Sequence, residues 1–164
     1  MTTETMEASL VEELRDLLNS ENQLVSALPK MAKAAESEEL KKAFQSHLEE
    51  TREHVERAKR ALEALGESAR SKKCDAMEGI IEEGSSLIKK HDSGPVLDAM
   101  LIGAAQKAEH YEIASYGTVI AWADRLGQRK VSSILKETLD EEKAADEKLT
   151  GIAGKINFEA PATV

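Results

Sequence analysis

The sequence predicts an all-α fold, a four-helix bundle, on three observations. Ala, Leu, Glu and Lys dominate it, while aromatic residues make up only 3 %. Sheets draw on β-branched and aromatic side chains, whereas this composition favours helix. Apolar residues recur every three or four positions over four long stretches, which is the helical period. Turn and capping residues fall between those stretches.

Helix α1 is expected from about Thr5 to Ala35, with Thr5 as cap and the stripe Leu10, Leu14, Leu17, Leu18, Leu24, Val25, Leu28 and Met31. Pro29 lies inside this pattern and is expected to kink the helix without ending it. Helix α2 follows Glu36-Ser37, with Ser37 as cap. Its stripe is Leu40, Phe44, Leu48, Val55, Ala58, Leu62 and Leu65, and Gly66 is its stop. Residues 67–94 form a long connection with a short helical pattern, α3, from Asp75 to Ile88. Pro95 suits the first position of α4, which runs to about Leu126 before Gly127. Helix α5 then runs to about Ile152, with a frayed tail over 157–164.

The links decide the topology. Short α1–α2 and α4–α5 turns make two antiparallel hairpins. The long α2–α4 link can return the chain along the bundle, leaving α2 and α4 parallel. One such crossover, here carrying a short extra helix, is the ferritin-like arrangement. With 164 residues and 41 % hydrophobic content, the chain 1–164 fits one domain, its core from about 5 to 152.

Composition also excludes functions. Lys plus Arg number 22 and Asp plus Glu 31, a net charge of −9, which repels nucleic-acid phosphates and anionic lipid. Cys74 is the sole cysteine, so no internal disulfide and no CxxC metal site exists. It reads as a small buried hydrophobe. The start MTTETMEASL lacks the pattern of a secretory signal, and no stretch is long and apolar enough to span a membrane. A cytoplasmic protein is expected.

Several acids sit where the bundle seam should be apolar. On α5, Leu135, Leu139, Glu142, Asp146 and Leu149 follow the seam spacing. On α1, Glu21 interrupts the series Leu14, Leu17, Leu24, Leu28. On α4, Glu109 and Glu112 share the stripe of Ile102, Ala105, Tyr116 and Val119. On α2, His47, Glu50 and His54 lie beside the Phe44/Leu48/Val55 stripe. One such acid is ordinarily a boundary residue, but a buried carboxylate without a partner is too unfavourable to recur on all four helices. The hairpins echo one another: Glu21 pairs with Glu109, and Glu50/His54 with Glu142/Asp146. The expected metal ligands are Glu21, Glu50, His54, Glu109, Glu112, Glu142 and Asp146. Oxygen-rich ligation with a minority of nitrogen suits two Fe or two Mn ions. His47 reads as a core-edge histidine, His91 and His110 as surface or supporting residues, and Tyr111 and Trp122 as packing. Tyr116, one turn from Glu112, is placed to orient that carboxylate.

The segments His47-Leu-Glu-Glu-Thr51, Cys74-Asp-Ala-Met-Glu-Gly-Ile-Ile-Glu-Glu83, Ala108-Glu-His-Tyr-Glu-Ile-Ala-Ser-Tyr-Gly117 and Leu135-Lys-Glu-Thr-Leu-Asp-Glu-Glu-Lys-Ala144 resemble the YciE/YciF family of bacterial stress-associated ferritin-like proteins, from Thr5 to about Ile152. The resemblance implies a rubrerythrin-like dinuclear centre and a homodimer. Glu109 and Glu112 match the Glu-x-x-Glu of the third rubrerythrin core helix, and Glu142 with Asp146 the acid-plus-ligand pair of the fourth. The chain departs from that pattern on α2, where Glu50 with His54 is the nearest pair. It departs again at Asp146, which replaces a histidine, and in lacking a cysteine-rich electron-transfer domain. The activity implied is reaction with peroxide or dioxygen, as peroxidase, ferroxidase or catalase, with electrons from an external donor. The alternatives are a non-enzymatic metal-binding stress protein and, less favoured, an iron-storage cage.

Overall fold

The computed structural model describes residues 5–163. Among these residues the elements are all helical: α1 Met6–Ala34, α2 Glu38–Ala64, α3 Asp75–Lys90, α4 Pro95–Arg125 and α5 Arg129–Glu159. The ends follow from local chemistry. Thr5 Oγ1 accepts the Ala8 N–H at 3.1 Å and Ser37 Oγ that of Leu40 at 3.3 Å, so the first free amides of α1 and α2 are satisfied by hydroxyls. Gly66 and Gly127 terminate α2 and α4 with φ of 77° and 73°. Around each, the next two amides turn back onto the helix, Gly66 and Glu67 to Glu63 and Leu62, Gly127 and Gln128 to Asp124 and Ala123. That reversal needs a left-handed residue, which glycine adopts without steric penalty.

Helix α1 runs unbroken through Pro29. Helix α5 extends about two turns beyond the expected end and reaches Glu159, so residues 157–159 are helical and not a frayed tail. Ile152 and Ile156 are both buried, Lys155 Nζ reaches Glu39 on α2 at 2.9 Å, and only Pro161 lies beyond to stop the helix. Val164, also assigned to the tail, is outside the described residues.

Contacts between ends give the topology. Arg15 pairs with Glu67 at 2.8 Å, joining the start of α1 to the end of α2. Lys155 on Glu39 joins the end of α5 to the start of α2. Gln106 donates to Thr150 Oγ1 at 2.9 Å, which sets α4 antiparallel to α5. The buried Asp98, in the first turn of α4, accepts the N–H groups of Glu36 and Ser37 at 2.9 and 2.8 Å. It therefore brings the starts of α2 and α4 to one end, and these two helices run parallel. Around the bundle the order is α1, α2, α5, α4, with α3 lying outside against α1 and α4. No helix among the described residues is long and apolar enough to cross a membrane.

The core is divided. One apolar cluster, including Leu28, Phe44, Leu101 and Leu149, fills the end where α2 and α4 begin. Another, including Leu14, Leu62, Val119 and Leu135, fills the opposite end. Between them lie buried charged and polar side chains from all four long helices.

Asp98 gives a test of the crossover. Asp98→Ala leaves two backbone N–H groups of the α1–α2 turn without their acceptor, and hydrogen bonds to a charged group contribute about 1.5–3 kcal/mol each at most. Urea unfolding should show a loss of about 1–3 kcal/mol, with the exposed Asp92→Ala within about 0.5 kcal/mol of the parent. Equal stability of the two variants would contradict this role.

Candidate metal centre

Glu21 enters the middle layer from α1, His47 and His54 from α2, Glu109 and Glu112 from α4, and Glu142 from α5. His47, the most accessible, is 7 % exposed. Buried side chains of this kind are held in by the packed turns on either side, where leucines and alanines of both apolar clusters anchor each helix.

Five of the six residues form two overlapping groups. In one, Glu21, His54 and Glu142 converge, with His54 Nδ1 2.7 Å from Glu142 Oε1 and 3.6 Å from Glu21 Oε1. In the other, His47, Glu109 and Glu142 converge, with His47 Nε2 2.9 Å from Glu109 Oε1 and 3.8 Å from Glu142 Oε2. Glu142 belongs to both and offers one oxygen to each. Glu112 is fully buried beside them and accepts the Ser20 hydroxyl at 3.3 Å. Tyr116 donates its hydroxyl to Glu21 Oε1 at 2.5 Å.

Each histidine is held from behind by an outer carboxylate. His47 Nδ1 lies 3.2 Å from Glu50 Oε2, and His54 Nε2 lies 2.8 Å from Glu141 Oε2. Arg57 clamps Glu141 with two bonds of 2.6 and 2.9 Å. Such carboxylates fix the ring orientation and tautomer. In the neutral ring the outer nitrogen carries the proton, so the inner nitrogen turns a lone pair toward carboxylate oxygens less than 3 Å away. Only a proton or a cation makes that arrangement favourable.

The donor set fits divalent ions. Ten buried side-chain polar atoms lack a hydrogen-bond partner among the described residues, and seven belong to these six side chains: Glu21 Oε2, His47 Nε2, His54 Nδ1, Glu109 Oε2, Glu112 Oε2 and both oxygens of Glu142. Buried polar atoms are ordinarily satisfied, so this concentration in one layer points to a ligand. The inner nitrogens approach oxygens at 2.7 and 2.9 Å without hydrogen-bond alignment. Two donors bound to one ion at 2.0–2.2 Å and right angles lie about 3 Å apart. Four carboxylates also balance the charge of two divalent cations.

Of the residues expected from the sequence, Glu21, His54, Glu109, Glu112 and Glu142 come together here. Glu50 and Asp146 do not join either group. Glu50 is 44 % exposed and holds His47 from outside. Asp146 turns Oδ2 to the exposed His110 Nε2 at 3.1 Å, and its Oδ1 has no partner among the described residues. His47, read as a core-edge residue, lies inside. The signal was its seven-residue separation from His54, which returns to within about 20° of the same face. Tyr116 holds Glu21 rather than Glu112. Cys74 is buried, and its Sγ caps α3 by accepting the Met77 N–H at 3.4 Å. Tyr111 does more than pack: it donates to Asp16 at 2.6 Å.

Burial and neighbouring charges in this layer raise the proton affinity of Glu112, Glu142 and His54. For Glu112 burial is the main cause, reinforced by Glu142, Glu21 and Glu109, and its carboxyl is pushed well above the usual range. Burial and Glu109 push Glu142 up to about 8 against the pull of His54 and His47. Burial alone would depress His54, but Glu142 and Glu21 outweigh it and raise it to about 10. Each group thus binds its proton more tightly when folded. Its contribution to stability is complete below the unfolded value, about 4.5 for Glu and 6.5 for His, and is lost as pH rises through the folded one. With a chelator present, Tm should fall as pH is raised from 5 to 9, and Glu142→Gln should flatten the lower part of that decline. A Tm that climbs across this range would contradict a buried cluster of this composition.

Comparison with known proteins bears on the fold and the family. Protein YciF of Escherichia coli strain K12 is 47 % identical over 154 residues, 93 % of each chain. The crystal structure of that E. coli stress protein superposes with a TM-score of 0.92 at 45 % identity, covering 96 % of this chain and all of that one. YcfI of Rhodopseudomonas palustris, described as a candidate structural protein, gives 0.88 at 41 % identity over 91 % and 95 % of the two chains. A ferritin-like diiron-carboxylate protein from Bacillus anthracis strain Ames gives 0.71 at 16 % identity over 92 % and 99 %, a likeness of fold alone. The fold is thus ferritin-like. A family model described as a domain of unknown function, DUF892, matches residues 5–160, and the chain belongs to that family.

Proposed function

We propose that the chain is a ferritin-like stress protein whose middle layer holds two iron or manganese ions and acts on peroxide or dioxygen in the cytoplasm, as a homodimer with an external electron donor. One observation carries this reading: five unpartnered buried atoms lie around a carboxylate that both groups share and whose own two oxygens are unpartnered as well. The proposed ligands are Glu21, His47, His54, Glu109, Glu112 and Glu142. Glu50 and Glu141 act through the histidines they hold, while Tyr116 and Ser20 hold Glu21 and Glu112. A pair of such ions supplies Lewis acidity and electrons to an oxygen–oxygen bond. The protein's part is to fix the ligand orientations before binding, to keep the shared Glu142 between two donor sets, and to exclude bulk water by the apolar clusters on either side.

A second reading is metal binding without turnover. The single cysteine favours it, because Cys74 caps α3 and its thiol is pushed up by burial, so the chain has no thiol pair to pass electrons.

Binding of an ion to the native state raises apparent stability by RT ln(1 + [L]/Kd). Excess Mn(II), or Fe(II) without oxygen, should therefore raise Tm, with two ions per chain at saturation. Glu142→Gln should remove most of that gain. Glu50→Gln should weaken binding by about 10–100-fold, as the loss of an outer partner does, and His91→Ala should do nothing. An equal metal response in Glu142→Gln and parent would move the site elsewhere. The two readings part on turnover: loaded protein that consumes peroxide repeatedly with a reductant is an enzyme, and loaded protein that consumes none is not.

A further inference from the structure

A crevice of about 340 Å³ opens between α1, α3 and α4. It has a structural cause. At one end α3 packs on α4 through Gly84 and Ala104, where an added Cβ on Gly84 would meet the Ala104 Cβ at an ordinary contact of 3.6 Å. Further along, Ala105 and Ala108 are too small to fill the space between α1 and α3. The walls are Leu28 from α1 and Ile81 and Ile88 from α3, and the inner wall includes Glu109. Glu109 is 2 % exposed, and its Oε2 has no partner among the described residues. Ser26 and Lys30 stand exposed at the rim with the half-buried Ser85.

On the other side of the bundle, between α2 and α5, a smaller opening of about 140 Å³ reaches His47 past Glu50, Glu141 and Lys148. The same layer is thus approached from two sides. The smaller opening carries the charged groups Glu50, Glu141 and Lys148. The apolar crevice is at the lower end of the size of small-molecule sites, and like those it combines apolar walls with a few polar groups.

We propose that the α1–α3–α4 crevice binds a small organic molecule, its apolar body between Leu28, Ile81 and Ile88, its anionic end at Lys30, and its inner end against Glu109. That its inner end meets a metal centre rests on the function proposed above; the binding itself does not. The apolar stretch of wall between Leu28, Ile81 and Ile88 favours an apolar body over water, and Lys30, the one basic residue lining the crevice among the described residues, favours a negative end.

The test uses 2-naphthoate as probe. Calorimetry on the metal-free protein should show one molecule bound per chain. Ile81→Trp, which fills the crevice, should weaken binding at least tenfold, and Ser85→Phe at the rim should do the same without touching the core. Lys30→Gln should weaken 2-naphthoate but leave the neutral 2-naphthalenemethanol unchanged, and Ala145→Leu in the opposite opening should affect neither. No binding by the parent, or binding that survives both filling variants, overturns the proposal. In protein loaded with Co(II), 6-hydroxy-2-naphthoate, whose hydroxyl points inward when its carboxylate sits at Lys30, should shift the visible absorption of the ion. Binding with an unshifted spectrum would separate the crevice from the centre and overturn its inner end at Glu109. A chain that takes up no cobalt would instead overturn the dinuclear reading, leaving the crevice to be judged by calorimetry.

Discussion

The shared carboxylate of Glu142 is the constraint on which the rest of this structure depends. It is fully buried, both its oxygens lack hydrogen-bond partners among the described residues, and each faces a different imidazole. A buried carboxylate in that position is unfavourable in a bundle that had only to fold. The surrounding architecture makes it tolerable. Two apolar clusters hold the helices in register above and below, and three further carboxylates with two histidines complete the layer. Replacing buried charges by well-packed apolar residues of similar volume is often neutral or stabilising, so folding alone gives no reason for this layer.

The outer ring explains how the inner one is kept in order. Glu50 and Glu141 lie half in solvent and hold the two histidines from behind, and Arg57 fixes Glu141 in turn. Tyr116 and Ser20 do the same for Glu21 and Glu112. These contacts come from all four long helices, so a displacement of any one would loosen several donors together. Asp98, at the end of the bundle, belongs to the same scheme at a distance, because it sets the starts of α2 and α4 side by side.

Much of the fold was legible in the sequence because it rests on local chemistry. Thr5, Ser37, Gly66, Pro95 and Gly127 mark helix ends through capping or backbone freedom, and these effects act within a few residues. Link lengths then implied the crossover. The end of α5 was not legible, because Ile152 and Ile156 are kept helical by packing on distant parts of the chain. In the site, acids in an apolar stripe identified Glu21, Glu109, Glu112 and Glu142. The echo between the hairpins, which matched Glu50 and His54 with Glu142 and Asp146, drew Glu50 and Asp146 in with them and left His47 out. Glu141 was hidden for a different reason. It lies on the flank of α5, and its part depends on His54 and Arg57, more than 80 positions away.

The central claim is that one carboxylate, Glu142, joins two ion sites. Electron paramagnetic resonance of the protein loaded with two equivalents of Mn(II) tests it most directly, since ions sharing a carboxylate are magnetically coupled. The account predicts a broadened, coupled spectrum at two ions per chain, which in Glu142→Gln gives way to the six-line pattern of isolated Mn(II). An isolated six-line spectrum from the parent at full loading, or saturation at a single ion, would contradict it.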